Sequence, residues 1–224
     1  PKHQVLDSVS NESPQFVNIV GDERPELVCT HDGFFGYATF DTDKPLGAWQ
    51  FHAISEKIAP VPFGHGLGIG DVNGDGYDDV IVGAYGYSSS KGRSYVYLGS
   101  SSGLSTLAST TLTGASTGDE FGKTVAAAGD VNGDGYDDVL VSALGYSSSK
   151  GAVYLYRGSA SGISTTATTT LTGSSSNAYF GDILERRLSR RGVIKGGLAT
   201  VIAGLMATKL PLTQALAANA GAGS

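Results

Sequence analysis

The residues of this chain best suited to chemistry are oxygen-bearing side chains set two apart. In Asp71-Val72-Asn73-Gly74-Asp75-Gly76-Tyr77-Asp78-Asp79, the side chains of Asp71, Asn73, Asp75 and Asp79 fall at positions 1, 3, 5 and 9, and the Tyr77 carbonyl supplies position 7. Hard oxygens at this spacing wrap a cation that takes six to eight ligands at roughly 2.3 to 2.6 Å, which describes Ca2+ and not the stricter Mg2+ octahedron. The same string returns fifty-nine residues later, where Asp130, Asn132, Asp134, the Tyr136 carbonyl and Asp138 take the same five positions. Solvated Asp-Gly turns would explain one such loop, since Asp, Asn and Gly are ordinary turn residues. Two identical copies are harder to explain so, because three carboxylates this close repel unless a cation neutralises them. Asp78 and Asp137 are expected to face solvent.

An EF-hand opens in the same way but needs a bidentate Glu at position 12. Here that position is Val82 or Val141, inside an apolar run, and the same substitution argues against a dockerin-type calcium helix pair. The ninth-position Asp is expected to complete the ring of oxygens.

The elements that must carry these loops repeat with them. Gly86-Tyr-Ser-Ser-Ser-Lys-Gly92 returns as Gly145 to Gly151, Thr111-Leu-Thr-Gly114 as Thr170 to Gly173, and Phe121-Gly122 as Phe180-Gly181. A period of this size belongs to arrays in which one unit cannot bury its own apolar face and must stack on neighbours. Each unit reads as a Phe-Gly pair, a small-residue strand (66 to 70, 124 to 128), the acidic loop and an apolar strand (80 to 84, 139 to 143). A Ser-Gly turn then leads to an alternating aromatic strand (95 to 98, 153 to 156) and a Thr-rich strand at Leu112 or Leu171. Four short antiparallel strands per unit make the blade of a β-propeller. The fold class is therefore all-β, with about three blades of an incomplete propeller followed by a helical or disordered tail.

The expected organisation is a degenerate blade over 1–62, blades over 63–120 and 121–181, and a tail over 182–224. In the first unit, Asn18 to Glu26 aligns on Asp71 to Asp79, with Asn18 for Asp, Val20 for Asn and Glu23 for Gly76. That loop is expected to bind calcium poorly or not at all, since the ligands are weakened and the tight turn has lost a glycine.

Charge divides along the same line. The formal net charge is -6, but residues 1–181 carry nine Lys and Arg against nineteen Asp and Glu, and residues 182–224 carry six against two. The acidic body argues against nucleic-acid binding, which needs clustered cationic side chains. Cys29 is the only cysteine, so no disulfide framework or Cys-based zinc site exists, and its apolar neighbours make it a buried small hydrophobe.

The chain resembles the Phe-Gly/Gly-Ala-Pro repeat family, the FG-GAP repeats of the integrin α-subunit propeller and their microbial relatives. Phe63-Gly64, Phe121-Gly122, the two acidic loops and Gly83-Ala84-Tyr85 carry the resemblance. Tyr85 stands where the name-giving Pro would be, and the second copy reads Ser142-Ala143-Leu144. The resemblance covers 63–181 well and 1–62 weakly. It implies a β-propeller with calcium in the loop between the first two strands of a blade, in an extracellular or cell-surface protein that binds other proteins or glycans. Such propellers usually have seven blades, so self-association into a homo-oligomer is one route by which about three would close.

In the tail, Ser189-Arg190-Arg191-Gly192-Val193-Ile194-Lys195 resembles a twin-arginine export motif, followed by an apolar stretch over 196–208 and small-residue sites near Ala217 and Ala220. The apolar part, about thirteen residues, is too short for a stable membrane span, which needs about twenty. Such signals lead a chain, so an ordinary apolar helix with basic caps, or a chimera of unrelated pieces, explains the segment as well.

Three functions compete. The first is a non-enzymatic calcium-binding module for adhesion. The second is a propeller-based hydrolase, although His3, His31, His52 and His65 fall in no nucleophile-elbow or zincin motif. The third is a structural or chimeric assembly without a ligand.

Overall fold

Runs of Val, Ile and Tyr are interspersed with small residues along the period, and in the computed structural model the described residues form twelve strands in three four-stranded antiparallel sheets. The structure describes residues 6, 14–20, 24–41, 43–44, 47–55 and 66–173. Phe63-Gly64, His3, His65, Phe180-Gly181 and the basic tail lie outside the described residues.

The first sheet runs β1 (Gln15–Val17), β2 (Glu26–His31), β3 (Phe34–Thr39) and β4 (Gln50–Ala53) in sequence order. The second holds β5 (Leu67–Gly70), β6 (Asp79–Ala84), β7 (Arg93–Tyr97) and β8 (Thr110–Thr113). The third holds β9 (Phe121–Gly129), β10 (Asp138–Ala143), β11 (Ala152–Tyr156) and β12 (Thr169–Thr172). Each is a meander, the topology of a propeller blade. The strand expected to start at Thr124 begins instead at Phe121, because the Phe-Gly pair itself joins the ladder through register shifts near Ala143.

Alternation sends successive side chains of one strand into two different cores. Val80 and Val82 of β6 face the first sheet, in a cluster with Val17, Val28, Phe35 and Tyr97. Ile81, between them, faces the third sheet with Val96, Phe121, Val125, Val139 and Val141. The middle blade thus has apolar side chains on both faces and buries each against a neighbour, as a stacked repeat must.

Phe121 is the plug of the second interface. It is 2% exposed and its ring lies 5.5 Å from Tyr154 and 6.4 Å from Tyr156. Its backbone bridges to Gly92, and the Glu120 amide donates to the Ser90 carbonyl at 2.8 Å. A side chain at Gly83 would collide with the Gly122 carbonyl, so glycine at 83 is what lets the incoming strand approach.

The expected Ser-Gly turn between the second and third strands has an unusual backbone. Ser88, Ser89 and Ser90 have φ of 51°, 57° and 60°, and Ser147, Ser148 and Ser149 have 50°, 60° and 59°. Three successive left-handed residues cost L-amino acids roughly 1 to 2 kcal/mol each. The turn is held from outside: the carbonyls of Ser89, Ser90 and Lys91 accept the amides of Gly118, Glu120 and Phe121.

Candidate metal centre: two acidic loops

Each acidic loop joins the first and second strands of its blade and is built around one carboxylate. Asp71 Oδ1 accepts the amides of Gly74 at 2.7 Å and Asp75 at 3.1 Å, and its Oδ2 accepts that of Gly76 at 2.9 Å. Asp130 repeats this with Gly133, Asp134 and Gly135 at 2.7, 3.0 and 2.8 Å. Converging amides require a tight turn, and Gly74 and Gly76 make it at φ of 73° and 88°. The Gly135 amide, helped by its neighbours, holds the Asp130 carboxyl below its usual range.

The third and fifth positions lean on each other. Asn73 Nδ2 donates to Asp75 Oδ2 at 2.9 Å, and Asn132 Nδ2 to Asp134 Oδ2 at 2.6 Å. Asp75 Oδ1 and Asp134 Oδ1 accept the amides of Tyr77 at 2.9 Å and Tyr136 at 3.2 Å. Asp75 and Asp134 are exposed to solvent.

The ninth position differs from the others. Asp79 and Asp138 are 0% exposed. Asp79 Oδ2 accepts the Val72 amide at 2.9 Å and its Oδ1 the Gly99 amide at 2.9 Å; Asp138 does the same with Val131 and Gly158, both at 3.0 Å. Burial pushes the Asp79 carboxyl up to about 7, against the pull of those two amides, and raises Asp138 in the same direction.

Asp78 and Asp137 do not face solvent; both are half-buried. The loops of adjacent blades touch, and the second brings Asp137 onto the first. The Asp137 amide donates to the Asp71 carbonyl at 3.0 Å and the Ser159 amide to the Val72 carbonyl at 3.1 Å. The Tyr136 ring covers Gly74, where an added Cβ would sit 2.8 Å from Cε1.

Among the described residues, no three His, Cys, Asp or Glu side chains are gathered closely enough to hold a metal by themselves. The oxygens of the sequence-derived set are instead arrayed along each loop and occupied in part by its amides. They retain capacity, since an ionised carboxylate offers about four acceptor sites. Asp71 uses three and Asp75 and Asp79 two each. The donor set is entirely oxygen, which suits a hard divalent cation.

Sequence reasoning missed the partners of position nine. The signal was available: Gly99-Ser-Ser-Ser-Gly103 and Gly158-Ser-Ala-Ser-Gly162 also recur on the fifty-nine-residue period. Of the histidines, His52 hydrogen-bonds Thr39 at 2.9 Å and stacks on Tyr37, and His31 packs against Phe51 next to the Asp32-Gly33 turn. Neither lies on an acidic loop. No helix among the described residues is long and apolar enough to cross a membrane.

Three four-stranded meanders, two of them with an acidic loop between first and second strands, define a propeller-type repeat array. Residues 71–141 match the FG-GAP-like repeat, and the chain carries an FG-GAP-like repeat segment there. The chain is 38% identical to integrin alpha-IIb of Mus musculus, in a match covering 59% of this chain and 16% of that protein. It is 36% identical to integrin alpha-4 of Xenopus laevis over 55% of this chain and 12% of the relative. With integrin alpha-8 of Homo sapiens the identity is 35%, covering 68% and 15%. The chain thus spans only a small part of the length of these relatives. Among solved structures, a rhamnogalacturonan lyase aligns over 75% of this chain and 35% of its own at a TM-score of 0.45 and 14% identity.

Proposed function

We propose that this chain is a non-enzymatic β-propeller repeat module, stabilised by Ca2+ in the loops 71–79 and 130–138, that serves extracellular or cell-surface adhesion by binding a protein or glycan. The observation that carries the reading is the duplication of one geometry: both loops fold an all-oxygen set around the same converging amides. Asp71, Asn73, Asp75, the Tyr77 carbonyl and Asp79 would hold one cation, and Asp130, Asn132, Asp134, the Tyr136 carbonyl and Asp138 the other. A bound cation would supply the positive charge these carboxylates lack and lock the loops on which adjacent blades meet. The integrin relatives support an adhesive role at the cell surface. The segmentation into 1–62, 63–120, 121–181 and 182–224 belongs to this proposal, as does homo-oligomeric closure of the ring.

Thermal unfolding with Ca2+ and with excess chelator tests it. A cation bound only by the native state, at a hundredfold its dissociation constant, adds about 2.7 kcal/mol per site. The melting temperature should rise with Ca2+, and Asp75→Ala and Asp134→Ala should each remove part of the rise. Indifference of the wild-type protein to the chelator would sink the reading.

A further inference from the structure

The acidic loops of the second and third blades share a feature with the first blade, where Asn18 replaces the first-position Asp and Val20 the third-position Asn. Glu26 occupies position nine there, 4% exposed, and its Oε2 accepts the Ile19 amide at 2.9 Å. Ile19 corresponds to Val72 and Val131, whose amides go to Asp79 at 2.9 Å and Asp138 at 3.0 Å. The same amide of the loop is therefore taken by the same position in all three blades, through Glu in one and Asp in two. Asn18 and Val20 stand where Asp71 and Asn73 stand, so the oxygens at positions 1 and 3 were weakened in the first blade while the ninth-position acid was kept.

The second oxygen extends the pattern. Asp79 and Asp138 also accept the amides of Gly99 and Gly158, in the loops that follow β7 and β11. Each carboxylate thus ties the loop between the first two strands to the loop between the last two. A buried carboxylate accepting two amides satisfies donors that would be costly to leave unpaired.

We propose that Asp79 and Asp138 are positioning residues that clamp the two loops at one end of their blades into shape with no cation present, whether or not they also bind one, and that Glu26 holds the loop between the first two strands of its blade in the same way. A clamp of this kind prepares the acidic loop for its ligand and explains why a blade with a weakened ligand set retains an acid. The inference builds on the cation reading only in naming what the loop is prepared for.

The test compares wild type, Asp79→Asn, Asp79→Glu, Glu26→Gln and, as a charge-removing control on an exposed turn, Asp32→Asn, all in excess chelator. Asn keeps one acceptor but turns an amide donor toward Val72 or Gly99, so Asp79→Asn should melt about 4 °C or more below wild type. Glu26→Gln should also melt lower, and Asp32→Asn within about a degree of wild type. Asp79→Glu should recover at least half the loss, as Glu26 makes the bond in the first blade. Melting of Asp79→Asn and Glu26→Gln at the wild-type temperature, or failure of Asp79→Glu to rescue, would overturn the clamp. Should Asp79→Asn not fold, hydrogen exchange of the wild type in chelator decides: the amides of Ile19, Val72, Gly99, Val131 and Gly158 should be protected like those of central strands, and fast exchange would refute it. If these results hold while Ca2+ leaves the wild-type melting temperature unchanged, the clamp stands and the cation reading falls.

Discussion

The backbone amide of Asp137 donates to the carbonyl of Asp71 at 3.0 Å, so the second acidic loop is bonded to the first across the blade interface. Position 8 of one loop therefore sits at position 1 of the other. Gly158 backs this seam, where an added Cβ would collide with the Asp137 carbonyl and sit 2.7 Å from the Val72 carbonyl.

Gly158→Ala should accordingly cost about 3 kcal/mol, because only backbone can give way. Gly70→Ala should cost less than half as much, since its nearest neighbour is the Asp137 carboxylate, 2.5 Å away on a side chain that can rotate. Chemical denaturation in chelator measures both, and equal losses would show that the seam is not rigid.

The carboxyl of Asp79 gives the protein a pH dependence in the absence of cation. Its folded value of about 7 lies above the usual value near 3.9, so the folded state binds more protons than the unfolded one between those limits. Stability in chelator should therefore be greatest toward the low end of this window and fall as pH rises through it, then level off. Asp138 and Asp137 are raised also by burial and add to the trend, whereas the lowered Asp130 opposes it at the acid end. Melts at several pH values should show this slope, and a flatter one in Asp79→Asn; a slope of opposite sign would contradict it.

Cys29 should be inert in the native protein. It is 0% exposed, among Leu27, Ala38 and Phe51, and burial pushes its thiol up to about 11. A thiol reagent at pH 8 should label it only after denaturant is added, because the thiolate is the reactive form. Rapid labelling of the folded protein would show that the first blade opens.

The serine turns carry strain that glycine would relieve. Ser89→Gly should stabilise the protein by up to about 1 kcal/mol, the left-handed penalty partly offset by the greater freedom of glycine in the unfolded chain. A loss of stability instead would mean that the Ser89 side chain contributes more than its backbone costs.

Much of this architecture is written in the residues. The fifty-nine-residue period, the apolar strand at 80 to 84 and the placing of the acidic loop between a small-residue strand and that apolar strand follow from spacing alone. What spacing does not carry is how neighbouring copies touch. Asp137 looks like a solvated residue within its own loop and becomes half-buried only because another blade presents Asp71 and Gly70. Ser88 to Ser90 read as part of a Ser-Gly turn, and spacing shows neither their left-handed backbone nor the amides of Gly118, Glu120 and Phe121 that the carbonyls of Ser89, Ser90 and Lys91 accept, some thirty residues on. The ninth-position acids read as ligands because ligand patterns are local, while Gly99 and Gly158 lie twenty residues away.

The Phe121-Gly122 pair enters the preceding blade beside Gly83 and Gly92, and the third blade repeats the turn that received it, with the Gly173 amide bonded to the Gly151 carbonyl as Gly114 is to Gly92. The third blade thus carries the plug and the receiving turn, although Ser142 stands where Gly83 admits the incoming strand in the second. A segment built this way brings most of its own mating surface with it, so the sequence that folds one blade is also largely the sequence that recruits the next.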